Sequence, residues 1–187
     1  MVGILIASLI ATQQPSYLPT KALAFGSLKD AAGQAIHIPA PKARATLLFV
    51  IAVDCPIANR MAPEISRIIR EYSKKSVQSF LIYPDVSRKN AEVTKHLKEF
   101  GLEAPGFVDV KHLVVKAAGA TVTPQAVLID AKGFVQYLGR INDVFEEHGK
   151  TNPKPKSADL RDALDQFLAG KPIKTPLTQA VGCYINP

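Results

Sequence analysis

A cysteine becomes a nucleophile where its surroundings favour thiolate, and a helix N-terminus does so through its unpaired N–H groups and the positive end of its dipole. Cys55 is placed for this. It follows the apolar run Thr46-Leu47-Leu48-Phe49-Val50-Ile51-Ala52-Val53 and precedes Pro56, a residue suited to the first position of a helix. Asp54 beside it acts the other way, because a nearby carboxylate disfavours a second negative charge. Arg60, about one helical turn on, could offset that carboxylate. The competing reading makes Cys55 a small buried hydrophobe, as free cysteines often are.

The chain's other cysteine is Cys183, in Val181-Gly182-Cys183-Tyr184-Ile185. Gly170, Pro172, Pro176 and Gly182 around it predict an extended segment that could swing towards a partner. Two cysteines cannot build a dense disulfide framework or a zinc site of cysteines alone. The histidines, His37, His96, His112 and His148, share no ligand spacing. His112, in Asp109-x-x-His112, could face the cysteine loop, but a lone histidine reads more simply as solvated or capping. Asn142, Asp143, Glu146 and Glu147 lack the spacing of a calcium loop and read as surface. No metal or cofactor is predicted.

The elements that must position these residues alternate. Phe25 to Ile36 reads as a hairpin turning at Asp30–Gly33, and the run ending at Val53 as a strand buried on both faces. Ile57, Met61, Ile65, Ile68, Ile69 and Tyr72 then recur at helical spacing, with a kink expected at Pro63. Val77 to Tyr83 reads as a strand, and Ser87 as the cap of a helix stopping at Gly101. Phe107-Val108 is a short strand and Asp109 caps a helix from Val110 to Ala118. The strands Gln125–Asp130 and Phe134–Leu138 form a hairpin across Ala131-Lys132-Gly133, and a last amphipathic helix runs from Ser157 to Gly170. The pattern is that of an α/β domain, a mixed sheet with helices on both faces.

Length and composition agree with this. A chain of 187 residues, 47% hydrophobic and 21% charged, suits one globular core and excludes collagen-like, coiled-coil and disordered classes. Lys and Arg outnumber Asp and Glu by 23 to 16, but the +7 charge is dispersed. There is no Trp to stack bases and no nucleic-acid motif, so the basic balance reads as a solvated surface and no nucleic-acid partner is expected. Residues 1–11 form an apolar run of signal-peptide length, too short to span a bilayer comfortably, although no Lys or Arg precedes it and no clean cleavage site follows. Residues 1–14 are therefore assigned to a signal peptide or N-terminal anchor that exports the protein to the periplasm or cell envelope, with membrane association through that segment.

Together, Asp54-Cys55-Pro56-Ile57-Ala58-Asn59-Arg60, Thr123-Pro124-Gln125-Ala126, Gly139-Arg140-Ile141-Asn142-Asp143, Leu160-Arg161-Asp162-Ala163-Leu164 and Val181-Gly182-Cys183 resemble a bacterial group of exported redoxin-domain proteins within the thioredoxin-like superfamily. The entry hairpin Phe25-x-x-Leu28-x-Asp30-x-x-Gly33 resembles that of the redoxin branch, which holds peroxiredoxins and thiol–disulfide proteins. The resemblance implies a thioredoxin-like domain over residues 22–170 followed by a tail, 171–187, that carries Cys183. It also implies that Pro124 is a cis proline facing Cys55, and that Thr123 and Pro124 bind extended substrate backbone.

The departures from the superfamily are as informative. Dithiol chemistry of the thioredoxin type needs a second cysteine where this chain has Ala58. A peroxiredoxin would carry Thr and Pro where Ala52 and Leu48 stand, and copper-delivery redoxins a cysteine at Asn59. Cys183 is thus the candidate second thiol. The expected activity is that of a thiol–disulfide oxidoreductase or thiol peroxidase in which Cys55 attacks, Cys183 resolves, and Asp54, Pro56 and Arg60 support the attacking thiol. Its substrates would be protein thiols and disulfides or a peroxide, with an electron donor the sequence does not name. The alternatives are a non-catalytic binding module stapled by a structural Cys55–Cys183 disulfide, and a metallochaperone using Cys55, Cys183 and His112.

Overall fold

The computed structural model describes residues 16–147 and 150–185; the leader assigned to residues 1–14, and His148, lie outside them. Among the described residues, eleven strands and four helices follow in the order β1 (Phe25–Lys29), β2 (Ala35–Ile38), β3 (Ala45–Val50), α1 (Pro56–Ser73), β4 (Val77–Tyr83), α2 (Asn90–Glu99), β5 (Gly106–Val108), α3 (Leu113–Ala118), β6 (Val122–Thr123), β7 (Gln125–Asp130), β8 (Val135–Gly139), β9 (Phe145–Glu147), β10 (Lys150–Thr151), α4 (Asp159–Leu168) and β11 (Cys183–Tyr184).

The uninterrupted apolar run of β3 reflects its place at the centre of a five-stranded sheet of order β5-β4-β3-β7-β8. It pairs in parallel with β4, from Ala45↔Val77 to Val50↔Ile82, and antiparallel with β7, from Ala45↔Asp130 to Val50↔Gln125. Its side chains alternate between two cores. Leu47 and Phe49 meet Met61, Ile65 and Ile68 of α1, Val93 of α2, and Leu160 and Leu164 of α4. Leu48 and Val50 face Val114, Val115 and Ala118 of α3, together with Ile36 and Ile38 of the β1–β2 hairpin. The fold is thioredoxin-like, a mixed sheet flanked by helices.

Several boundaries differ from the sequence reading, each for a local reason. The central strand ends at Val50, not Val53, because both ladders stop there; only the Ile51 N–H still donates to the Ile82 carbonyl. Helix α1 continues through Pro63. Ser87 caps no helix: its N–H and hydroxyl both donate to Asp85 Oδ1, and α2 begins at Asn90, where Glu92 accepts the Lys89 N–H. Asp109 does cap α3, its carboxylate accepting from the N–H groups of Leu113, Val114 and Val115, but the helix itself starts at Leu113. Glu146 and Glu147 lie not on a plain surface loop but on β9, which pairs with β10.

The segment after α4 is the largest difference. It does not swing freely. Leu138 donates to Pro176 O and accepts from Thr178 N, β11 pairs antiparallel with β6, and the Ile185 N–H donates to Thr121 O. Among the described residues no helix is long and apolar enough to cross a membrane.

Candidate active site

Cys55 is the N-cap residue of α1, with Pro56 supplying the first helical position. Its thiol is 1% exposed and lies 3.0 Å from the Thr123 carbonyl, to which it can donate. Thr123 and Pro124 are joined by a cis peptide bond at the start of β7. The register Cys183↔Thr123 then brings the second cysteine to the same point, and the two free sulfurs stand 2.6 Å apart.

Gly182 makes this approach possible. A Cβ at that position would collide with the Thr123 carbonyl carbon and oxygen, so any larger residue would hold the tail off β6.

The two thiols are electrostatically unequal. Burial pushes the Cys55 thiol up, but hydrogen bonds from the Cys183 thiol, the Thr123 side chain and the N–H groups of Ala58 and Cys183 outweigh burial and hold it below its ordinary value. The Ala58 N–H is the helix-N-terminal donor that the location of Cys55 predicts. Cys183 is pushed up to about 12, by burial first and then by its bond to Cys55 and the negative charges of Cys55 and Asp54. One site thus holds a thiol biased towards thiolate and another biased towards its proton.

Of the supporting residues, Asp54, Pro56, Thr123 and Pro124 gather at Cys55, whereas Arg60 does not offset Asp54. Its guanidinium lies over the Phe145 ring, 5.9 Å from the centroid. Arg88 takes the expected role, 2.8 Å from Asp54 and equally close to Asp85. Its separation of 34 residues from Asp54 left no local signal in the sequence. A pocket of about 450 Å³ opens onto the two sulfurs, lined also by Asp54, Asp85, His112 and Tyr184. His112 therefore does face the cysteines, with Nε2 2.5 Å from the Pro84 carbonyl. Among the described residues no group of three His, Cys, Asp or Glu is arranged to hold a metal ion.

Behind the site runs a buried polar chain that sequence reading missed. Asn59 Nδ2 donates to the Val53 carbonyl, leaving Oδ1 to accept from His96 Nε2, 2.8 Å away, while His96 Nδ1 accepts from the Tyr83 hydroxyl, also at 2.8 Å. The chain ties α1 and α2 to the loop that presents Cys55. Burial holds the His96 imidazole below its ordinary value, which keeps it in the neutral form this chain requires.

The model of the AhpC/TSA family matches residues 20–138. No curated protein matches the chain. Among solved structures, a conserved protein of Geobacillus kaustophilus, uncharacterized, superimposes with a TM-score of 0.79 at 24% identity, covering 94% of each chain. A hypothetical protein of Sinorhizobium meliloti 1021 gives 0.78 at 27% identity, over 90% of this chain and 93% of its own. A secreted disulfide oxidoreductase of Mycobacterium tuberculosis, described as homologous to E. coli DsbE, gives 0.51 at 14% identity, over 80% of this chain and 96% of its own.

Proposed function

This chain belongs to the AhpC/TSA family, and from that premise we propose that it is a thiol–disulfide oxidoreductase or thiol peroxidase in which Cys55 attacks and Cys183 resolves. The observation that carries the proposal is the pairing of two free sulfurs 2.6 Å apart, with Cys55 held low and Cys183 held high. In the disulfide reaction the Cys55 thiolate attacks one sulfur of the substrate, forming a mixed disulfide and releasing the first substrate thiolate. Cys183 then attacks the Cys55 sulfur, loses its proton, and releases the second. With a peroxide, Cys55 takes one oxygen as sulfenic acid and an alkoxide or hydroxide leaves; Cys183 then condenses with it and water leaves.

The order of the two steps is built into the charges. Once the Cys55 sulfur is in a mixed disulfide its negative charge is gone, which removes part of what keeps the Cys183 proton in place. Thr123 already pairs with Cys183 of β11, so extended substrate backbone would pair with Thr123 and Pro124 only where the tail lifts. Such a pair stays bonded only in an oxidising compartment. Export through the apolar leader therefore forms part of the proposal, and the secreted M. tuberculosis neighbour supports it.

The test is intact mass with thiol alkylation, before and after dithiothreitol and then after stoichiometric hydrogen peroxide. The expected result is a Cys55–Cys183 disulfide that reduces under native conditions and re-forms with peroxide, together with loss of turnover in Cys55→Ser. The 1% exposure of Cys55 favours a second reading, a fixed staple in a binding module. A bond that reduces only in denaturant would establish that reading and overturn the first; two thiols inert to both peroxide and a small disulfide would also overturn the first.

A further inference from the structure

The protein carries a net charge of +7, and a uniform distribution would make its active pocket attractive to anions. The pocket has the opposite sign. Its lining includes two carboxylates, Asp54 and Asp85, and neither Lys nor Arg. Behind it Arg88 bonds Asp54, Asp85 and Glu92 at 2.8, 2.8 and 3.1 Å, and Lys89 also acts on Glu92, so three carboxylates meet two cations and one negative charge remains. The Asp54 side chain is 69% exposed, stands next to Cys55 in the chain and lines the pocket that opens onto it. Its charge also reaches the sulfurs, since Asp54 contributes to the rise at Cys183.

The rest of the lining is apolar or neutral. Ala52, Val86, Tyr184 and Ile185 supply it, and Val86 and Tyr184 are 52% and 58% exposed. At about 450 Å³ the pocket takes an organic side chain or small disulfide rather than hydrogen peroxide alone.

We infer that Asp54 and Asp85 set substrate charge at this site, so that it takes cationic or neutral disulfides, such as those flanked by Lys, Arg or apolar residues, and rejects anionic ones such as carboxylate-bearing small thiols. The inference rests on the proposed reactivity of Cys55. In the reaction a disulfide R–S–S–R receives two electrons from the cysteine pair, both R–S groups leave as thiols, and the Cys55–Cys183 bond forms.

The experiment follows the oxidation of the reduced full-length protein by cystamine, 2-hydroxyethyl disulfide and 3,3′-dithiodipropionate, which are cationic, neutral and anionic. Acid quench, alkylation and intact mass give each rate. Each rate is divided by that of the same disulfide with free 2-mercaptoethanol, which removes differences in leaving-group chemistry. At low salt the corrected ratio of cystamine to dithiodipropionate should be on the order of tenfold, narrowing in high salt as the carboxylates are screened. Asp54→Asn, at an exposed position, should bring the ratio down several-fold, and Asp85→Asn should do the same. A ratio near one, or an inverted ratio that follows the net charge of the whole protein, would overturn the inference while 2-hydroxyethyl disulfide still reacts. If none of the three disulfides oxidises the protein, the role given to Cys55 fails, and the inference with it.

Discussion

Ionising one of two touching thiols requires donors aimed at one sulfur and negative charge near the other. At Cys55 the donors are the Ala58 and Cys183 N–H groups, and at Cys183 the negative charges are those of Cys55 and Asp54. Alkylation follows the thiolate fraction, which rises with pH through each group's own value. In the reduced protein the iodoacetamide rate of Cys55 should therefore reach half-maximum at lower pH than that of an ordinary cysteine, whereas Cys183 should label only after Cys55, once alkylation has removed the neighbouring sulfur charge. Mapping the label by peptide mass checks this. In Cys55→Ser the Cys183 thiol loses the neighbouring sulfur charge, and its profile should move to lower pH.

At the scale of elements, the site depends on two attachments. The first is β11 against β6. In Gly182→Ala a methyl group would meet the Thr123 backbone, and the tail must lift. Oxidation of Cys55 should then stop at a mixed disulfide or sulfenic acid, read by mass, with a stability loss of about 1–3 kcal/mol in urea. The second is the Tyr83–His96–Asn59 chain. His96→Leu leaves the buried Tyr83 hydroxyl without a partner, at about 1–3 kcal/mol, and releases the half-buried Asn59 oxygen at a smaller cost. His96 also gives stability a pH dependence. Its folded value lies below the unfolded one, so the unfolded state takes the proton first as pH falls. Stability should be fully present above about pH 6.5 and decline below it, and this part of the decline should vanish in His96→Leu.

What the sequence revealed of these elements depended on range. Cys55 at the end of an apolar run and before Pro56 announced a strand-to-helix junction, because both signals are local. Asp109 was legible as a cap for the same reason. Arg88, Asn59 and His96 were not, since their roles depend on partners 34 or more residues away and no periodicity marks them. The pinned tail was misread because Gly182 and its neighbouring prolines signal irregular chain, and a two-residue strand is set by its partner, not by propensity.

For the molecule as a whole, the alternating elements made the α/β class legible, and the uninterrupted apolar run of β3 marked its central place, whereas the order of the strands around it rests on long-range pairing that no local signal carries. The cysteine pair adds a long-range constraint. A bond between residues 128 apart removes a large loop from the unfolded ensemble, worth about 5 kcal/mol in the chain-entropy model. The oxidised protein should unfold at correspondingly higher denaturant than the reduced one, compared by urea titration with and without reductant.

The pairing of β11 with β6 also fixes when the site can exist. Cys183 is made 128 residues after Cys55, which at about 5–20 residues per second is a delay of roughly 6–26 seconds. Late in that interval, once β8 has been made, the sheet strands, α1 and the cis-proline loop can be in place while Cys55 has no sulfur beside it. A nascent chain is therefore a one-thiol protein, exposed to capture by other thiols, and becomes a two-thiol protein only when its last strand arrives.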